Sequence, residues 1–327
     1  MLDAEMKLPR DQRIDFVTIV TPNHLHFPIA RAFAGAGIHV ICDKPLTHTV
    51  AEARELVNIV RNRRIVFAVT YNYGGYPMVK QARAMVRSGA LGAIRKVIVE
   101  YRQGWLASKL EMTDHKQAVW RTNPVHAGLG GAIGDIGSHA EQLMSYVTGL
   151  KLQSICADLT SFVPGRALDD DASLLLRFES SGDEPVRGML LASQIETGCE
   201  NDLCLRVFGK KASFQWRQEQ PNHLVVKHAD GPDEIFRTGH GYLEPSIAGA
   251  MRLPPGHPEA FIEAFANVYS AAMRAMREGA GGLDAGAAYD FPDVLDGARG
   301  VHFIEKAVES TRSDRKWTDA PFDIDLK

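Results

Sequence analysis

The sequence predicts two halves of different class: a partial doubly wound parallel α/β sheet over residues 1–73, then an open-faced, mostly antiparallel α+β sheet with flanking helices over residues 74–327. Three observations carry this. Short apolar, β-branched runs at 14–20, 38–42 and 65–69 alternate with two helix-length segments, the arrangement of parallel strands joined by right-handed crossovers. From residue 153 onward six segments, 153–163, 172–178, 186–194, 203–208, 212–217 and 223–228, alternate in polarity with period two and read as antiparallel strands. Helical spacing recurs in 77–88, 135–147, 260–276 and 294–310, on either side of that run.

Taken in order, the first strand ends in Thr21-Pro22-Asn23, and the helix after it, 24–36, is closed by Gly35 and Gly37. The second strand runs into Asp43-Lys44-Pro45. Thr49, with Glu52 three residues on, is a capping box opening a helix over 49–61. The basic run 61–64 closes that helix, where cations favour the dipole. Tyr71 to Gly75 leave the third strand, Pro77 starts a helix, and 93–102 alternates as a strand. The stretch 104–131 is long and irregular and carries Trp105, Trp120 and Arg121, and loops of that length in a compact domain tend to be functional. In 135–147, Ile136, His139, Ala140, Leu143, Met144 and Val147 recur at helical spacing and Gly149 closes the helix. Phe261, Phe265, Val268 and Tyr269 form a packing stripe on the helix after Gly256-His257-Pro258-Glu259. The Gly-rich run 279–286 reads as a flexible surface connection, since no strand leads into it, and the last helix reads as structural.

Composition narrows the function classes. With 327 residues, 45% hydrophobic and 24% charged, the chain is large enough for two domains. A net charge of −3, with no Lys/Arg cluster interleaved with aromatics, gives no reason to expect nucleic acid. No run is long enough to span a membrane and no signal-peptide pattern opens the chain, so a cytoplasmic protein is expected. Cys42, Cys156, Cys199 and Cys204 lack CxxC spacing, and His24, His26 and His115 lack a partner set at metal-ligand spacing, so neither disulfides nor a metal are expected.

Two constellations can carry chemistry. Ligands of open parallel sheets collect at the carboxyl ends of the strands, and Asp43-Lys44-Pro45 stands at one such end, against the blander reading of a solvated ion pair. On a helix, Asp135 and His139 are i and i+4, so a carboxylate can orient an imidazole and raise its basicity, against the alternative of a capping Asp and a core His.

These residues resemble the Gfo/Idh/MocA oxidoreductases, named after glucose-fructose oxidoreductase and inositol dehydrogenase. The family carries Glu-Lys-Pro after its fifth Rossmann strand, here Asp43-Lys44-Pro45, and Thr-Pro-Asn-His-x-His after the fourth, here Thr21 to His26. Its Gly-rich turn followed by Asp-x-Gly-x-His matches Gly130 to His139, and the resemblance runs from about Ile14 to the C-terminus. It implies NAD or NADP as cofactor and hydride transfer to or from a carbinol carbon of a sugar, anhydrosugar or inositol-type polyol. His139 would take the hydroxyl proton, Asp135 would orient it and bind a neighbouring hydroxyl, and Lys44 would donate to the reacting oxygen. Thr21, Pro22, Asn23, His26, Asp43, Lys44, Pro45, Asn72 and the pair Trp120-Arg121 would hold the cofactor. Lys44, Asp135, His139 and His257 would meet the substrate. Asp43, shorter than the family's usual Glu, has less reach toward the cofactor ribose. The sheet half would pair subunits into a homo-oligomer.

No G-x-G-x-x-G occurs in the sequence, whereas a family Rossmann domain opens with one. The resemblance therefore implies that the family's first three strands are absent from this sequence, and that the strand over 16–20 lacks its neighbour and exposes an apolar edge. Two readings from different classes follow: an oxidoreductase whose natural chain begins earlier, and a catalytically silent sugar-binding or assembly subunit. A glycoside-cleaving relative that uses nicotinamide transiently is a third.

Overall fold

The computed structural model of the protein describes residues 1–180 and 184–324, so 181–183 and 325–327 of the expected second half lie outside the described residues. A short helix α1 (Leu2–Glu5) precedes β1 (Phe16–Ile19), α2 (His26–Gly35), β2 (His39–Cys42), α3 (Val50–Arg63) and β3 (Phe67–Val69). The three strands pair in parallel in the order β1-β2-β3. Residues 40–42 and all of β3 are buried, which is why these strands read as continuous apolar runs: helices cover both faces. β1 has one strand neighbour among the described residues, as its apolar edge implied. Thr49 caps α3 and Glu52 completes the capping box, as its spacing predicts.

The chain continues through α4 (Pro77–Arg87), β4 (Ile94–Arg102), α5 (Lys116–Arg121), α6 (Pro124–Ala127), a π-helical turn over Ile133–Gly137 and α7 (Ser138–Thr148). Then come β5 (Leu152–Thr160), β6 (Asp171–Phe178), β7 (Arg187–Ser193), β8 (Asp202–Gly209), β9 (Ala212–Arg217), β10 (His223–His228) and β11 (Glu234–Arg237). Helices α8 (Phe261–Arg277), α9 (Ala285–Tyr289) and α10 (Val294–Arg312) and the two-residue β12 (Thr318–Asp319) complete it. The second sheet has the order β11-β10-β9-β8-β4-β7-β6-β5-β12, antiparallel throughout except for the β4–β7 pair. β6 shows why its period was legible: residues alternate between the core and the open face.

Three expectations needed correction. The helix after β1 starts at His26, because Asn23–Leu25 form a 3-10 turn after Pro22. The Gly-rich run 279–286 is packed rather than loose: Gly282 donates to Ile65 O, and a Cβ at Gly281 would lie 1.9 Å from the Arg64 carbonyl. The first sheet also draws on the far end of the chain. Val294, Ala298 and Val301 of α10, with Ile324, share its core. Two glycines permit that contact, since a Cβ at Gly297 would meet Leu46 at 2.9 Å and one at Gly300 would meet the Tyr71 hydroxyl at 2.2 Å.

Candidate active site

A cavity of about 590 Å³ opens where the carboxyl ends of β1, β2 and β3 face the second sheet. Its first wall is Val20, Thr21, Pro22, Asn23, Asp43 and Thr70; the opposite wall is Tyr101 and Gln103 from the end of β4 with Asn201 from the loop before β8. Gln117, Trp120 and Arg121 cross it from the 104–131 segment, and Phe261 and Phe265 close it from α8. Lys44, Asn72, Tyr73, Asp135 and His139 lie between the walls. This is the strand-end crevice that the parallel topology predicts for a ligand.

Lys44 follows β2 and is joined to Pro45 by a cis bond, and its ammonium donates to the backbone oxygen of Asp135 and, at 2.9 Å, to Asp135 Oδ1. Asp135 Oδ2 accepts from Arg121 Nε at 3.1 Å and from Gln194 Nε2 at 2.9 Å. Burial alone would raise the Asp135 pKa, but Lys44 and Arg121 together outweigh it and hold the carboxyl well below the usual carboxylate range. Burial, helped by the Lys44 charge, depresses the His139 pKa well below its ordinary value, with Asp135 opposing, so the imidazole is neutral near pH 7.

The spacing argument for Asp135 and His139 holds only in part. Asp135 sits in the π-helical turn and His139 in α7, and both carboxylate oxygens are taken by Lys44, Arg121 and Gln194. His139 feels Asp135 as a nearby charge, while its Nδ1 is buried without a hydrogen-bond partner among the described residues. What holds the ring is aromatic: Tyr73 packs edge-on at 5.0 Å between centroids and Tyr71 at 5.6 Å.

His26 and Pro45, expected at the cofactor, are not on the cavity wall. Both are buried outside the cavity lining. The His26 ring spans Pro45 O at 2.8 Å and Thr21 O at 2.9 Å, bracing the two strand-end turns against each other. His257, expected at the substrate, is exposed and outside the cavity lining, with its N–H on Pro254 O. Asp43 lines the cavity and accepts from Thr70 Oγ1 at 2.6 Å. Trp120 and Arg121 line it stacked, the guanidinium carbon 4.2 Å from the indole centroid. The Thr21 hydroxyl and Asn72 Nδ2 are buried at this end without a protein partner among the described residues.

Sequence reading missed the far wall. The Tyr101 hydroxyl donates to Asn201 Oδ1 at 2.7 Å, Gln103 Nε2 donates to the same oxygen at 2.9 Å, and the Tyr73 and Tyr101 hydroxyls touch. Since the one Tyr101 proton goes to Asn201, the Tyr73 hydroxyl donates to Tyr101. Burial pushes the Tyr73 pKa up to about 12, so it keeps its proton at neutral pH. Gln103 stands 98 residues from Asn201 in the chain, and no local pattern pairs them.

A parallel strand-end crevice, a lysine on a carboxylate and a neutral imidazole beside them define the class of a dinucleotide-dependent oxidoreductase. The comparisons agree. The oxidoreductase family with an NAD-binding Rossmann fold matches residues 3–71, and the GFO/IDH/MocA C-terminal domain matches residues 79–215. The Bacillus subtilis oxidoreductase YfiI is 31% identical over 320 residues, 95% of this chain and 79% of that protein. Levoglucosan dehydrogenase of Pseudarthrobacter phenanthrenivorans is 28% identical, covering 95% of this chain and 81% of that protein. Among solved structures, an inositol dehydrogenase homolog from Azotobacter vinelandii complexed with NAD+ superposes with a TM-score of 0.90 at 33% identity, over 97% of this chain and 81% of that one. The chain belongs to the Gfo/Idh/MocA oxidoreductase family, and its residues 3–71 match that family's NAD-binding Rossmann fold.

Proposed function

We propose that the protein interconverts a secondary alcohol and a ketone on a neutral polyol, sugar or anhydrosugar, with NAD(H) as the redox partner. The observation that carries this is the Lys44–Asp135 pair beside the uncharged His139 in one cavity. Residue types at the strand ends fit a nicotinamide: the orphaned Thr21 hydroxyl and Asn72 amide offer unmatched polar groups, and Trp120 offers a ring. Thr21, Pro22, Asn23, Asp43, Lys44, Asn72, Trp120 and Arg121 would hold the dinucleotide, which when bound supplies the hydride acceptor. Neighbour structures complexed with NAD+ or NADH support NAD over NADP.

In alcohol oxidation His139 takes the hydroxyl proton, a role open to it because it is neutral. Lys44 has two of its three hydrogens on Asp135, leaving one to steady the developing alkoxide. Asp135 holds that ammonium in place. Lys44 and Arg121 are balanced by Asp43 and Asp135 in the cavity lining, so no surplus cation awaits a substrate carboxylate, and a neutral substrate is favoured. A levoglucosan dehydrogenase, a 1,5-anhydro-D-fructose reductase and an inositol dehydrogenase homolog complexed with NADH and myo-inositol, all similar to this chain, support the same class.

Leu175, Met189 and Phe208, exposed on the open face of the second sheet, favour pairing of two copies, and a cytoplasmic location fits the chemistry. No helix among the described residues is long and apolar enough to cross a membrane.

The test is calorimetric titration of the chain with NAD(H) and NADP(H), followed by a screen of neutral polyols including myo-inositol and levoglucosan. Micromolar binding, about −8 kcal/mol, with turnover that Lys44→Met reduces by about 100-fold or more, is the expected result. Folded protein that binds neither cofactor favours the silent sugar-binding subunit instead.

A further inference from the structure

The 104–131 segment crosses the cavity with Trp120 and Arg121, and both of its ends are fastened to one short stretch of chain, the loop between β5 and β6. At the start, Arg166 is the hub. Its side chain is 3% exposed and makes five hydrogen bonds. Nη1 donates to Leu106 O at 2.7 Å, and Nη2 to Ser108 O at 2.8 Å. Nε and Nη2 grip the Glu111 carboxylate at 3.0 and 2.9 Å, a bidentate arrangement. The remaining contact, Nη1 to Asp170 Oδ2 at 3.2 Å, ties the hub to a carboxylate that also accepts the Phe162 and Val163 N–H groups. At the end, Asp169 does the fastening. Its Oδ1 accepts Gly131 N–H and its Oδ2 accepts Ile133 N–H, each at 2.7 Å, and its backbone oxygen accepts Ala132 N–H at 2.9 Å. The fit is close: a Cβ at Gly131 would lie 1.9 Å from that oxygen.

Arg166 and Asp169, on one short loop, thus hold the two ends of a segment whose middle reaches Asp135 through Arg121. A buried, charge-assisted network of this size is not needed to close a surface loop, because each ion must leave water to join it.

We propose that Arg166, Asp169 and Asp170 form a clamp that holds the 104–131 segment closed over the dinucleotide, so that they are positioning residues for cofactor binding without touching the cofactor. This rests on the reading that Trp120 and Arg121 cover the dinucleotide.

The experiment compares Arg166→Met, which keeps the apolar stem, and the milder Glu111→Gln with the unaltered chain, by hydrogen–deuterium exchange and by NADH titration followed through tryptophan-to-NADH energy transfer. Expected are amides 106–121 exchanging about tenfold faster, unchanged exchange in β6 to β9, and NADH affinity lowered by about tenfold, equal to about 1.4 kcal/mol. Exchange unchanged in both variants overturns the clamp. Faster exchange with NADH affinity unchanged also overturns it, provided that Trp120→Ala weakens NADH binding. Trp120→Ala that binds NADH as tightly as the unaltered chain sinks the underlying reading instead, while exchange in Arg166→Met still reports whether the segment is held. A Glu111→Gln effect on affinity that vanishes in the Trp120→Ala background supports the clamp, since the coupling then runs through the indole.

Discussion

His139 sets the pH behaviour of the site. Its folded pKa lies below the unfolded value of 6.5, so the imidazole stays a free base to lower pH than a solvated histidine, and alcohol oxidation is expected to persist below pH 6.5 before falling. Steady-state rates against pH test this, and His139→Ala should remove that limb from the profile. The same depression has a stability side. As pH falls through 6.5 the unfolded chain takes up a proton that the buried ring refuses, so His139 destabilises the fold progressively in acid, and the His39, His26 and His302 rings, lowered chiefly by burial, add to this. Lys44 and Asp135 were legible individually because each stands beside a sequence signature. Their pairing was not, since 91 residues separate them and only the meeting of the two halves brings them to 2.9 Å.

Among the elements, α10 does what its sequence hides. Read by periodicity it is a structural helix, yet its Gly297 and Gly300 let Leu46 and Tyr71 approach its backbone, and Tyr71 in turn packs on His139. Gly300→Ala forces the Tyr71 hydroxyl to move, and overpacking of this kind costs about 1–3 kcal/mol. Urea unfolding should show that loss, with turnover falling further than the lost stability accounts for; an unaltered midpoint and turnover would exclude a role for this contact. The 133–137 turn teaches the converse lesson. Ile136, His139, Leu143 and Val147 do lie along a helical path, but Asp135 sits in a π-helical turn and its carboxylate bonds Lys44, Arg121 and Gln194. Helical spacing in sequence carries no sign of such a widening.

For the whole molecule, three buried carboxyls outside the reaction shape the stability curve. Burial raises Glu141 and Asp293 each to about 7 and Asp169 to about 6. A carboxyl whose folded pKa exceeds its unfolded value contributes stability below the unfolded pKa, and that contribution is lost as pH rises through the folded value, here between about 4 and 7. Glu141→Gln, which removes the need to ionise in the core, should therefore raise Tm at pH 8 and change it little at pH 5; equal shifts at both would assign the effect to packing. The pairing proposed for the open sheet face makes a second prediction at this scale. Leu175→Asp together with Met189→Asp should halve the particle mass seen by light scattering while leaving the far-ultraviolet dichroism intact, whereas an unchanged mass would place the contact elsewhere.

Sequence alone determined the two classes of sheet, the capping box of α3 and the residues that stand at strand ends, because strand period, caps and turn residues act over a few positions. It also singled out Lys44, Asp135 and His139, which line one cavity, through motifs short enough to be read in one chain. Only the tertiary structure decided that His26 braces two turns and lies outside the cleft, that His257 faces solvent, and that Tyr101, Gln103 and Asn201 build the far wall. Those outcomes depend on contacts between segments distant in the chain, and local propensity holds no information about which distant backbone will supply a partner or bury a ring.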